Sequence, residues 1–191
     1  RPLLEFENVT VVKGRNKKIL DSISVEILEG ENVAVLGPNG AGKSSFIKTI
    51  TREYYPMPAQ GGYVFRIWGH ETWNVFELRF ALGIVSNDLQ YSYTRDITGL
   101  DVVLSGFFGS IGLYHERPTA GMKKKARDVM DFLEVGHLKD RAMDEMSSGE
   151  ARRLLIGRAL VHEPRALILD EPTTSLDLHA SYKFCDILRK I

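Results

Sequence analysis

Gly37-Pro38-Asn39-Gly40-Ala41-Gly42-Lys43-Ser44 constrains the fold of this chain more than any other stretch. It fits the pattern G-x-x-x-x-G-K-[ST] and lies between a short apolar run, Asn32–Leu36, and a helical pattern from Lys43 to about Thr51. The order predicts a buried central strand over Asn32–Leu36, a tight loop, and a helix. Glycines in such a loop let backbone N–H groups turn inward, where a Cβ would crowd a ligand. The helix adds its positive N-terminal end, so the loop is built for phosphate. In that setting Lys43 reaches the β- and γ-phosphates of a nucleotide, the Ser44 hydroxyl reaches Mg²⁺, and Ser45 stands near the α-phosphate.

A second run supplies the complementary charge. Ala166-Leu167-Ile168-Leu169 reads as a buried strand ending on Asp170, and a carboxylate there is costly unless it pairs or meets a metal. Mg²⁺ shared with Ser44 provides that compensation. Glu171 stands one residue further, where it accepts a proton from an attacking water or orients it. In isolation Glu171 would be read as the start of a surface turn with Pro172.

Met146-Ser147-Ser148-Gly149-Glu150 opens a helical pattern that contains Arg153 and Arg158-Ala159-Leu160, and Pro164 breaks it before the Asp170 strand. With Ser175-Leu176-Asp177 after Glu171, the whole of Met146–Asp177 resembles the signature, Walker B and D-loop of ATP-binding-cassette (ABC) ATPases. The phosphate loop then corresponds to their Walker A. The resemblance implies ATP and Mg²⁺ as cofactors, with two copies, or two paired cassettes, sharing the nucleotide. Ser147, Ser148, Gly149, Glu150 and Asp177 would touch the ATP held by the partner. A simpler reading stands beside it: Ser147-x-x-Glu150 is also a capping box that satisfies the helix end internally. Both readings hold if Ser147 caps the resting helix and meets ATP on closure.

The chain departs from the family pattern at several places. Ser148 and Glu150 stand where the signature usually has Gly and Gln. The turn at Val12–Gly14, where the family places an aromatic against adenine, has Lys13, which would cover the base by a cation–π contact. The glutamine expected after the Ala81–Ser86 strand is replaced by Asn87, with Gln90 three residues on, and either serves as the Mg²⁺-side residue. The chain opens on Arg1 rather than Met and stops in a helical pattern at Ile191, before the position of the family's switch histidine, and both ends are expected to be trimmed. His162 and His179 are expected on exposed helix surface with no function.

Strand patterns over Leu3–Val12, Ser22–Ile27, Tyr63–Trp68 and Ala81–Ser86 precede helical patterns from Asp96 to Arg141, of which Met122–Leu133 has one apolar face. The fold class expected is α/β, a P-loop NTPase core sheet with an antiparallel β N-terminal part and an inserted α-helical subdomain. One domain spans 1–191, its core about 1–87 and 146–191 and its helical subdomain about 88–145. The 191 residues, 43% hydrophobic, suffice for one sizeable core. Lys+Arg 25 balances Asp+Glu 25, which gives no electrostatic reason for direct nucleic-acid binding.

Val102–Tyr114, the longest apolar run, falls short of the roughly 20 residues that span a bilayer. Its Phe107, Phe108, Ile111, Leu113 and Tyr114 are expected mainly in subdomain core. The resemblance therefore implies an ATPase subunit that powers a separate integral-membrane permease, cytoplasmic and peripheral at the inner membrane face. Arg141–Glu145 reads RAMDE, unlike the TEVGE-like element of exporters, which favours an importer-type subunit. GIVSNDLQ, VVLSGFFGSIGLY and SSGEARRLLIGRAL are similar to the molybdate-transport or photorepair-type group. The alternatives are a non-transport ABC ATPase acting in translation, DNA repair or cofactor assembly, and a different P-loop enzyme such as a kinase.

Overall fold

The computed structural model describes the chain apart from residues 16, 59, 60, 87, 88, 90–92, 94, 95, 114 and 175. It forms two compact units, Arg1–Leu78 and Arg79–Ile191.

In the first unit β1 (Pro2–Lys13) pairs antiparallel with β2 (Lys17–Leu28) on one edge and β3 (Val64–Ile67) on the other. Leu4 and Phe6 are buried on even positions, then Val9 and Val11 on odd ones. The phase slips at Asn8, whose φ of 52 lies in the left-handed region that Asn tolerates, and the β1–β2 register shifts between Phe6 and Val9. The bulge is why both halves of β1 face the same core. Phe6 packs edge-on against Phe65 at 4.6 Å and Phe46 at 5.5 Å, joining the sheet to α1 (Lys43–Ile50).

Asn32–Leu36 is not the expected strand. It takes no ladder position in either sheet, and Val33, Val35 and Leu36 are 52%, 48% and 90% exposed. Apolar composition suits a buried strand only where a partner edge supplies hydrogen bonds, and among the described residues no strand pairs with this run.

The second unit holds a parallel pair, β4 (Leu82–Val85) and β5 (Ala166–Leu169), in register Leu82↔Ala166 through Val85↔Leu169. β5 is half-buried, less than its sequence suggests, and among the described residues it pairs on one edge, with β4. α2 (Val75–Ala81), which the sequence patterns did not reveal, leads into β4. Then come α3 (Gly99–Ser105), α4 (Ala120–Phe132), α5 (Ser148–Leu160) and α6 (Leu178–Leu188). Val102, Val103, Met130, Leu133, Leu154 and Leu155 form the core of this unit with Phe184 and Ile187 from α6. Phe107 and Leu113 pack against it as expected, Phe108 and Ile111 are half-buried, and Tyr114 lies outside the described residues. Gly106 permits a close approach of backbones: a Cβ there would lie 2.1 Å from the Arg158 carbonyl oxygen of α5.

Among the described residues no helix is long and apolar enough to cross a membrane.

Candidate functional site

The first unit carries the phosphate loop. Gly40 and Gly42 have φ of 82 and 97, and a Cβ on Gly42 would meet the Ile19 carbonyl at 2.7 Å. Only glycine therefore fits where the loop turns into α1 against the start of β2. α1 begins at Lys43 with Gly42 as its N-cap and no side chain capping it. A helix end without a side-chain cap suits an anionic ligand. Gly37, Pro38, Asn39, Gly40 and Ala41 are exposed, while Ser44 and Ser45 are half-buried in the first turn of α1. Thr49, buried, donates to the Ser45 carbonyl at 2.8 Å and ties that turn to the next.

The Lys43 ammonium donates to the loop's own carbonyls, Gly37 at 2.8 Å and Pro38 at 3.0 Å. It is held across the loop mouth, where a charged phosphate oxygen is the stronger acceptor. Lys13, at the end of β1, donates from Nζ to the Tyr54 hydroxyl at 2.9 Å, and that bond raises its pKa.

In the second unit β5 delivers Asp170 and Glu171. The Asp170 N–H donates to the Val85 carbonyl at 2.9 Å, continuing the β4–β5 ladder one residue past the strand. The carboxylate therefore stands at the C-terminal end of a parallel pair, the edge at which open α/β sheets bind ligands. Glu171 leaves the ladder with φ 47, a left-handed conformation that is costly for a residue with a side chain. Its exposed carboxylate accepts from the Thr174 hydroxyl at 3.4 Å, and its carbonyl accepts from the Thr174 N–H at 3.1 Å. Glu171 is thus turned out of the strand instead of continuing it. Asn87 and Gln90, the alternatives after β4, lie outside the described residues, as does Ser175.

The signature residues form the capping box foreseen in the sequence. Ser147 is the N-cap of α5 and its hydroxyl accepts from the Glu150 N–H at 3.3 Å. Glu150 Oε2 accepts from the Ser147 N–H and hydroxyl, each at 2.8 Å. Those bonds from Ser147, its backbone N–H first, lower the Glu150 pKa. His137 Nε2 lies 3.8 Å from the other Glu150 oxygen. Ser147 and Ser148 are exposed. Gly149 is set so that a Cβ would sit 3.2 Å from Ala180 of α6, and Asp177 caps α6 by accepting from the Ala180 N–H at 2.8 Å. The openings of α5 and α6, with Ser147–Glu150 and Asp177, are therefore neighbours.

Two arginines hold α5 in place, and nothing in a single sequence told what they grip. Arg153 donates to the carbonyls of Leu133 at 3.3 Å and Glu134 at 3.2 Å, past the end of α4. Arg158 donates to Ser105 Oγ at 3.3 Å and the Ser110 carbonyl at 3.0 Å, after α3. His162 is not the exposed helix residue expected. It follows α5, is half-buried, and lies edge-on to Phe80 at 5.7 Å. Burial, then Arg158 and Lys125, lowers its pKa. His179 is exposed on α6 as expected.

Residues 20–174 match the family model described as ABC transporter. The chain is 35% identical over 192 aligned positions to the uncharacterized ABC transporter ATP-binding protein YlmA of Bacillus subtilis, covering 99% of this chain and 70% of YlmA. It is 34% identical to the ABC transporter ATP-binding protein ModF of Escherichia coli, over 89% of this chain and 35% of ModF. The ADP conformation of MJ1267, an ATP-binding cassette of an ABC transporter, superposes with a TM-score of 0.79 at 25% identity, over 100% of this chain and 76% of that one. Relatives at 28–32% identity are named for phosphonate import, zinc import, Nod factor export and cell division. The match over most of the chain agrees with the phosphate loop, the Asp170-Glu171 pair and the capped α5: the chain belongs to the ABC transporter family, as an ATP-binding, ATP-hydrolysing subunit.

Proposed function

We propose that this chain drives a separate membrane permease, of importer type, through ATP-dependent closure of two cassettes at the inner face of the membrane. The observation that carries the reading is the exposed, Ser147-opened N-terminus of the 13-residue helix α5 beside the Asp177 cap. A helix end of that kind is an anion site, and in a dimer it receives the γ-phosphate of ATP held by the partner's phosphate loop. RAMDE before the signature and relatives named for phosphonate and zinc import support the direction.

Residues 1–191 act as one cassette in this reading, with 88–145 as its helical part. Gly37, Pro38, Asn39, Gly40, Ala41 and Gly42 wrap the phosphates with backbone N–H groups. Lys43 swings from its two carbonyls to the β- and γ-oxygens, and Ser45 holds the α-phosphate. Glu171 accepts a proton from the attacking water as its oxygen bonds in line to the γ-phosphorus and the bond to the β,γ-bridging oxygen breaks, releasing ADP and phosphate. The Ser44 hydroxyl, the Asp170 carboxylate and the amide oxygen of Asn87, two residues after β4 in the sequence, are hard oxygen donors of the kind Mg²⁺ takes. Among the described residues no group of three His, Cys, Asp or Glu could cage a metal, and Mg²⁺ held by one or two side chains plus phosphates requires none. When bound, Mg²⁺ supplies charge neutralisation on the β- and γ-oxygens.

Glu150 tests the reading. Its carboxylate occupies the Ser147 hydroxyl and sets a negative charge beside the incoming γ-phosphate. Glu150→Gln keeps a capping side chain and removes the charge, so it lowers the ATP concentration for half-maximal self-association about 3- to 10-fold, a loss of repulsion of about 1 kcal/mol at a surface site. The sign with pH follows from the depressed Glu150 pKa. The carboxylate is ionised throughout pH 6–8, so the difference between the two proteins is flat there. The cap stability that ionised Glu150 gives the wild type is present above the unfolded carboxylate pKa, about 4.3, and is lost as pH falls through the lower folded value. Light scattering against ATP concentration reads the first effect, and equal or weaker association of Glu150→Gln would remove the trans contact.

A further inference from the structure

Glu134 stands where the end of α4 meets α5 and α6. It follows the last turn of α4 in the left-handed region, with φ 57. The chain closes that helix end around it: the Glu134 N–H donates to the Asp131 carbonyl at 3.0 Å, and the Val135 N–H to the Met130 carbonyl at 2.9 Å. Glycine is the easy residue at such a helix end, and any side chain there carries a backbone cost. Strain of that kind directs attention to what the side chain does.

Two helices grip this one residue. The Glu134 carboxylate pairs with Lys183 of α6 at 3.1 Å and with Lys190, two residues past α6, at 3.5 Å. The Lys183 hydrogen bond and charge, then Lys190, hold that carboxylate below the usual carboxylate range. The Glu134 carbonyl accepts from Arg153 of α5 at 3.2 Å. About one turn earlier the same two helices touch, where a Cβ on Gly149 would stand 3.2 Å from that of Ala180. Gly149 and Arg153 are four residues apart, and Ala180 and Lys183 three, the spacing of neighbours on one helix face. A lone surface ion pair contributes little, but here two cations share one carboxylate on a backbone that a third cation also holds.

We propose that Glu134 is a positioning residue for the shared-ATP site: by tying Arg153 of α5 and Lys183 of α6 to one turn, it sets the openings of both helices relative to each other. Ser147–Glu150 and Asp177 then meet the partner's ATP as one surface. Glu134 itself touches neither nucleotide nor partner and acts through the two helices. The inference rests on the two-cassette reading proposed above.

Sedimentation velocity of the Glu171→Gln chain across ATP concentrations tests it, beside a thermal melt without nucleotide. Adding Glu134→Gln, which keeps the length and removes the charge, raises the ATP concentration for half-maximal dimer about 2- to 10-fold, the reach of two surface ion pairs. Lys183→Gln with Lys190→Gln gives the same shift, and adding Glu134→Gln to that pair moves it no further, because the three charges act as one unit. Glu134→Gly removes the side chain and relieves the left-handed backbone, so association weakens while the melt holds or rises. A Glu134→Gln chain that dimerises at its parent's ATP concentration overturns the assignment. So does a shift that adds in full to that of the lysine changes, or a Glu134→Gly chain that loses stability and associates as its parent does. If the Glu171→Gln parent stays monomeric at saturating ATP, the two-cassette reading itself falls and takes the inference with it.

Discussion

Glu171→Gln slows ATP turnover by about 10²- to 10⁴-fold, the usual contribution of a positioned general base, with ATP affinity unchanged or tighter. The structure gives this variant a clean interpretation. Glu171 sits at φ 47, and glutamine meets the same backbone cost there, so the change removes the charge and leaves the turn. Its weak bond from the Thr174 hydroxyl at 3.4 Å is one an amide oxygen also accepts. A fall in kcat without a rise in KM marks loss of an interaction made only in the transition state. A phosphate-release assay across ATP concentrations reads both constants, and turnover within 3-fold of wild type would exclude Glu171 as the base.

Lys43→Ala has the second large effect and acts on binding. Charge-assisted hydrogen bonds contribute about 1.5–3 kcal/mol each, and losing the contacts to two phosphates weakens ATP by about 10²- to 10⁴-fold. Stability barely changes. The carbonyls of Gly37 and Pro38 that lose the ammonium belong to exposed residues, and water replaces it. The melt shifts by no more than about 0.5 kcal/mol of stability. Calorimetry with ATP and a thermal melt of the same preparation separate the two, and a large loss of stability would mean that Lys43 serves the loop's structure more than its ligand.

Much of this site is legible in the residues because local rules decide it. A G-x-x-x-x-G-K-S loop before a helical pattern fixes an uncapped α1, and Ser147-x-x-Glu150 fixes the capping box, since both depend on residues within a few positions. The β1, β3, β4 and β5 strands follow alternation or apolar runs for the same reason. What fails is what depends on distant partners. Asn32–Leu36 has the composition of a central strand, yet no edge pairs with it. His162 looks like helix surface until Phe80 and Arg158 are seen around it. The same holds for Tyr54, 41 residues from Lys13 and unremarkable beside Tyr55 in sequence. Arg153 and Arg158 are plain matches to a pattern until their carbonyl partners on other segments give them a task.

The central claim is that two copies close on ATP, each covering the other's phosphate loop with Ser147, Ser148, Gly149, Glu150 and Asp177. Sedimentation velocity of Glu171→Gln with saturating Mg²⁺ and ATP tests it most directly, because blocked hydrolysis leaves the closed state to accumulate. The account predicts a dimer with ATP and a monomer with ADP. A protein that remains monomeric at saturating ATP would contradict it.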